Sequence, residues 1–207
     1  PASVDWIAGN AMLRNDVAWA ARGADVIVHA ANPPGYRDWR ARAIPVLANT
    51  IDAARHAGAR ILFPGNIYNF GPDAWPVLTE DAPQHPVSRK GAVRVEMEAM
   101  LAAATNRGVR GLVLRAGDYF GPHAPASWLE NVMVKPGRPL RSVTWPGTAR
   151  DGHAFAYLPD LAEAAARLLD LDEARLAPFE TVNFGGHWVE PGIDFAHRLA
   201  QAAGRPG

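Results

Sequence analysis

Short apolar runs alternate along this chain with longer stretches of helical period, and that alternation is the signature of β-α units built around a parallel sheet. The strand candidates are Val4–Ala8, Ala24–Ala30, Ala59–Pro64, Val109–Arg115 and Thr181–Phe184. The middle three are almost wholly apolar, as strands covered on both faces must be. Helical stretches lie between them, over Arg14–Arg22, Arg40–His56, about Ser88–Asn106, Pro159–Leu171 and about Ile193–Ala203. Gly58, Gly108 and Gly204 each stand where a helix ends, and Pro159 stands where one begins. Both placements follow from backbone chemistry: glycine tolerates the left-handed turn after a helix, and proline lacks only an N–H that the first turn leaves idle.

The segment 121–152 reads differently. It is rich in Pro and Gly, carries Trp128 and Trp145, and has no sustained period, so it predicts an irregular substrate-side insertion or lid. The predicted organisation is an α/β core over 1–120, the insertion over 121–152, and the last helix–strand elements of the core over 153–207. There is no internal repeat.

Charge and composition remove several classes of function. Lys plus Arg number 21 and Asp plus Glu 21, so there is none of the basic excess that marks a nucleic-acid binder. No apolar run approaches the about eighteen residues that a membrane span needs. The absence of cysteine excludes disulfides, thiolate nucleophiles and Cys-ligated metals. The seven histidines form no pair at metal-ligand spacing with a carboxylate, so no metal is expected. The expected setting is the cytoplasm, with a small-molecule substrate, neither nucleic acid nor membrane as partner, and a homodimer as the assembly to test.

Residues 23–32, Gly-Ala-Asp-Val-Ile-Val-His-Ala-Ala-Asn, form a strand that ends in small side chains. Small residues at a carboxyl end let a ligand approach, although the same alanines could merely pack under a helix. Further on come Gly65-Asn-Ile-Tyr-Asn-Phe-Gly-Pro72, Leu114-Arg-Ala-Gly-Asp-Tyr-Phe-Gly-Pro122, Tyr157-Leu-Pro-Asp-Leu-Ala162 and Val182-Asn-Phe-Gly-Gly186. This succession resembles the extended short-chain dehydrogenase/reductases, the NAD-dependent epimerase/dehydratase family. That family's landmarks read approximately DxVxHxAA, SSxxVYGP, YxxxK, LRxxxxYGP, YVxDLA and NxGG. The resemblance covers Val4 to Gly186 and rests on order and gaps, since no single motif is specific.

The resemblance implies an α/β fold, a Rossmann-like doubly wound parallel sheet, truncated at its N-terminal side. It also implies NAD or NADP as cofactor in a full-length form, and an oxidoreductase or isomerase acting on a hydroxyl or ketone of a sugar-like molecule. A non-catalytic NAD(P)-binding sensor or scaffold of the same fold is the alternative. The implied cofactor contacts are Asn10, Ala11, Ala30, Ala31, Asn32, Gly65, Arg94, Ala116, Gly117, Asp118 and Tyr119.

Three departures from the family pattern bear on that reading. The phosphate loop G-x-x-G-x-x-G is not in the sequence, and Asp5–Ala11 resembles the family's third strand. Two strands and a helix, roughly forty residues, would then precede Pro1, and dinucleotide binding by this segment alone would be weak or absent. The family's Ser/Thr, Tyr and Lys fall on Asn66, Lys90 and Arg94, counted back from Glu98. Asn66 can donate a hydrogen bond and Arg94 can hold ribose hydroxyls, whereas Lys90 could act as acid/base only with a strongly lowered pKa. Lys90 and Arg94 could equally be two cations on a solvated helix face. Ala43 falls where the family has an Asn that supports a proton relay. Tyr68 is a substitute acid in principle, with packing the better explanation. The Trp128/Trp145 insert, with Arg138 and Arg141, could hold a ring and an anionic group or form a simple lid core.

Overall fold

The computed structural model describes residues 4–32, 38–124 and 127–204. In chain order its regular elements are α1 (Arg14–Ala20), β1 (Val26–Val28), α2 (Trp39–Ala57), β2 (Arg60–Asn66), α3 (Arg89–Ala104), β3 (Arg110–Ala116), β4 (Asp118–Phe120), β5 (His153–Tyr157), α4 (Leu158–Leu169), β6 (Phe179–Asn183), β7 (His187–Val189) and α5 (Ile193–Ala202). They fall into two compact units, residues 1–115 with 172–182, and residues 116–171 with 183–207.

The first unit carries a four-stranded sheet of order β1-β2-β3-β6. β1 and β2 run parallel, with Val26 opposite Arg60 and Val28 opposite Leu62. β3 runs the same way as β2. Its first residue, Arg110, reaches the carbonyl that precedes β2 at Gly58, and its Arg115 lies against Gly65 near the other end. The closeness at that end requires glycine, because a Cβ on Gly65 would stand 2.8 Å from Arg115 Cγ and 3.2 Å from its Cα. A parallel sheet with flanking helices is the Rossmann-like α/β fold that the alternating pattern predicts.

α2 and α3 bury one stripe each against this sheet. Leu47, Ile51 and Ala54 of α2 meet Met97, Leu101 and Ala104 of α3 over Ile61, Phe63 and Val113. Helix boundaries follow local chemistry. Gly58 closes α2 at φ +71°, and its N–H donates to the Ala54 carbonyl. Ser88 opens α3 by accepting a hydrogen bond from the Gly91 N–H at 3.0 Å. Gly108, at φ +80°, ends the short 3-10 turn that follows α3.

Val4–Ala8, which reads as a strand from composition, forms none. Val4 and Trp6 are 71% and 92% exposed. β1 pairs with β2, and among the described residues no strand lies against its other edge. A β-rich composition yields a strand only where a neighbour supplies ladder partners, so the isolated segment stays extended and solvated.

The second unit holds a three-stranded sheet of order β4-β5-β7. β4 and β5 are parallel, with Asp118 opposite Phe155, and β5 and β7 are antiparallel, with Phe155 opposite His187. Phe155 stacks on Phe195 of α5 at 3.9 Å between centroids, and Phe120 meets Phe195 edge-on. β4, β5 and β7 are too short to show a period in sequence. β5 and α4, expected with the core, belong to this unit. Apart from one helical turn at Leu129–Met133, the described part of 121–152 is irregular.

Candidate functional site

In the first unit the sequence-derived residues gather around the carboxyl ends of β1 and β2 and the first turns of α3. Ala30, Ala31 and Asn32 follow β1 and are exposed. Asn32 accepts a hydrogen bond from the Trp39 indole N–H at 2.9 Å, which ties this loop to the start of α2. Gly65 and Asn66 end β2, and the Oδ1 of Asn66 is buried with no hydrogen-bond partner among the described residues.

Arg94 occupies the second turn of α3. Its guanidinium lies 5.3 Å from the Trp39 ring centroid and 5.2 Å from that of Phe63. It also donates to the Pro64 carbonyl at 3.4 Å. These contacts hold the group against the sheet, yet its Nε–H is buried without an acceptor among the described residues. Lys90, one turn earlier, is exposed and lines an open depression with Trp39, Arg40 and Arg89. The two cations that the sequence places on one face therefore differ in burial.

Asn10 and Ala11 stand apart from strand ends. The Asn10 N–H donates to Asp16 Oδ2 at 2.8 Å and its side chain accepts from the Met12 N–H, forming a turn ahead of α1. The Ala11 carbonyl accepts from Asn49 of α2. Ala43 is buried in the α2 stripe.

His29 is buried one residue beyond β1. Its Nδ1 is 2.9 Å from Thr50 Oγ1, and that hydroxyl is also 3.1 Å from the Val46 carbonyl, to which it can donate. With the hydroxyl proton on Val46, the imidazole donates from Nδ1 and Nε2 is left as an acceptor. Nε2 is buried and has no partner among the described residues. Burial first, and the Arg94 charge second, push the His29 pKa from its ordinary 6.5 down to about 4. The spacing from β1 to the middle of α2 that brings Thr50 to His29 is invisible without the fold.

Four residues beyond Arg94, Glu98 is buried with Arg115, whose Nε and Nη2 donate to its carboxylate, the latter at 2.8 Å. Asn69 and Gln84 donate to the same carboxylate at 2.8 and 2.9 Å.

The remaining predicted contacts belong to the second unit, except that Ala116 also ends β3. A Cβ on Gly117 would collide with the Ala154 carbonyl. Asp118 accepts from His153 Nε2 at 2.6 Å, and the His153 ring rests between Trp128, Trp145 and Phe155. Tyr119 follows in β4. Among the described residues no group of His, Asp and Glu could hold a metal ion, and no helix is long and apolar enough to cross a membrane.

A family model described as the NAD dependent epimerase/dehydratase family matches residues 4–185. The chain belongs to that family. Among curated proteins none matches it. Solved structures of family members share its fold. UDP-glucuronic acid 4-epimerase from Bacillus cereus, in complex with UDP-glucuronic acid and NAD, superposes with a TM-score of 0.79 at 19% identity over 95% of this chain and 65% of its own. UDP-glucose 4-epimerase from Thermus thermophilus, in complex with NAD, gives 0.74 at 22% identity over 100% and 71%. DesIV, the dTDP-glucose 4,6-dehydratase from Streptomyces venezuelae, gives 0.75 at 17% over 96% and 63%. The chain thus spans about two thirds of the length of these epimerases and dehydratases.

Proposed function

We propose that this chain serves an NAD(P)-dependent oxidoreductase or isomerase that acts on a hydroxyl or ketone of a sugar-like small molecule. The observation that carries this reading is the set of buried, unpartnered polar atoms at the carboxyl edge, Asn66 Oδ1 and Arg94 Nε–H. Buried polar groups are normally hydrogen-bonded, so those left open at a strand edge suit a polar ligand. Structural relatives solved in complex with NAD and a sugar nucleotide support the same cofactor class here. A nicotinamide cofactor would supply hydride exchange with a carbon bearing oxygen. Arg94 would hold ribose hydroxyls with a fixed charge, and Asn66 would offer its amide to a hydroxyl or carbonyl oxygen. Ala30, Ala31, Asn32 and Gly65 would leave room for the cofactor backbone. Ala116, Gly117, Asp118 and Tyr119, in the second unit, are proposed as cofactor contacts on the family resemblance alone.

The exposure of Lys90 favours a second reading, in which the fold binds NAD(P) without turnover. An exposed side chain is not held within reach of a reacting atom, as proton transfer requires. Titration of NADH fluorescence and turnover of UDP-glucose, each in the full-length protein and with Arg94→Ala and Lys90→Met, test both readings. Arg94→Ala is expected to weaken NADH binding by about tenfold to a hundredfold, the usual cost of a charge-assisted hydrogen bond. In an enzyme using Lys90, Lys90→Met abolishes turnover and leaves affinity within a few fold. In a sensor, the wild type shows no turnover. Unchanged affinity in both variants would remove Arg94 and Lys90 from the cofactor site.

A further inference from the structure

His29 and Arg94 each leave a polar atom open beside Phe63. Nε2 of His29 is an acceptor when Thr50 spends its proton on Val46 and Nδ1 donates to Thr50. Nε of Arg94 is a fixed donor. Both atoms are buried, and neither has a partner among the described residues. Both side chains rest on the Phe63 ring, the imidazole stacked at 5.7 Å and the guanidinium at 5.2 Å. Phe63 is wholly buried, so neither group can swing toward water on that side.

We propose that His29 Nε2 and Arg94 Nε–H together bind one hydroxyl-type oxygen, which donates to the imidazole and accepts from the guanidinium. Only a group that is donor and acceptor at once satisfies both atoms. A carbonyl or phosphate oxygen would leave Nε2 unpaired, and an ammonium would repel Arg94. Two sources share this chemistry, a hydroxyl of a ligand and a water molecule. The site deepens the cofactor reading and rests on it only for the identity of a ligand hydroxyl. His29 stands at the His of the landmark DxVxHxAA and is here given a binding role, with Thr50 acting through it as a positioning residue.

Nitrogen-15 NMR of the labelled protein tests the proposal directly. The expected result is a neutral His29 protonated on Nδ1, with a cross-relaxation contact from the Arg94 Nε–H to a long-lived water in the protein alone. Added NADH gives the two arms. Loss of the water contact with a shift of the Nε2 resonance identifies a ligand hydroxyl, and persistence of the contact with NADH bound identifies a structural water. Thr50→Val, close in shape, removes the acceptor of Nδ1–H and is expected to move the proton to Nε2. A wild-type proton on Nε2 overturns the proposal, and so does an Arg94 Nε–H with neither water nor ligand contact. A proton that stays on Nδ1 in Thr50→Val overturns the positioning role of Thr50. If the full-length protein shows no NADH binding by fluorescence while the water contact is present, the cofactor reading fails and the hydroxyl site stands. The wild-type spectra decide the matter even if Thr50→Val fails to fold.

Discussion

Arg94 and Glu98 sit one turn apart on α3, and the polar groups around them are treated in opposite ways. Around Glu98 every charged atom of the carboxylate is used, by Arg115, Asn69 and Gln84, and the only orphan is the neutral Asn69 Oδ1. Around Arg94 a donor and two acceptors from His29 and Asn66 are buried with nothing to bond among the described residues. Desolvating a polar atom without a partner costs about 1–3 kcal/mol. A closed network of this kind cements β3, α3 and the loop after β2, whereas an open set at a strand end is arranged for something not in the chain. Burial alone does not separate a structural polar cluster from a binding one. Satisfaction of its charged atoms does.

The largest effect expected lies in the closed network. Glu98→Ala strands the Arg115 guanidinium in the core, and breaking a buried pair by removing one partner costs about 3–5 kcal/mol, read from urea unfolding. A loss below about 1 kcal/mol would mean that water already enters the network, and the comparison would collapse. Next comes the open set and its pH dependence. The unfolded His29 takes a proton below its ordinary 6.5 and the folded one only below about 4. Between those values the unfolded state binds more protons, so stability is full above the upper value and falls as pH drops through the window. The loss amounts to about 3 kcal/mol once both forms are protonated. Urea midpoints from about pH 7.5 down to about pH 4 should show that slope and should show it flattened in His29→Phe. An equal slope in the variant would assign the dependence to other groups.

A smaller effect distinguishes the two regions most directly. Asn66→Ala removes an unpartnered buried acceptor and is expected to leave stability unchanged or to raise it by up to about 1 kcal/mol. A clear destabilisation would show that Oδ1 is already bonded and belongs to the structural class. The smallest effect is the exposed control. Arg40 grips Glu96 with two hydrogen bonds, at 2.8 and 2.6 Å, yet Arg40→Ala should leave the urea midpoint unmoved, because solvent screens such pairs.

Local chemistry made much of the core legible. α2 and α3 were readable from their period, Gly58 and Gly108 from the helix ends they close, and β2 and β3 from apolar runs long enough to cross the sheet. The candidate site was legible only in part. The family landmarks pointed to Asn66 and Arg94, but the burial of Arg94 depends on Trp39 and Phe63, which come from other elements. His29 stood in a landmark, yet a histidine inside an apolar strand looks the same whether or not its far nitrogen is satisfied.

The sequence by itself determined that this chain alternates strand and helix, where most core helices stop, and which family it resembles, because periodicity, caps and motif order are properties of neighbouring residues. The tertiary structure decided the rest. Val4–Ala8 stays unpaired because a strand exists only against another strand, and β4, β5 and β7 form because each finds one. The tautomer of His29 was decided by Thr50 on another element, and the fate of each buried polar atom by partners brought from elsewhere in the chain. Hydrogen bonding is a relation between positions in space, and no local reading of residues contains it.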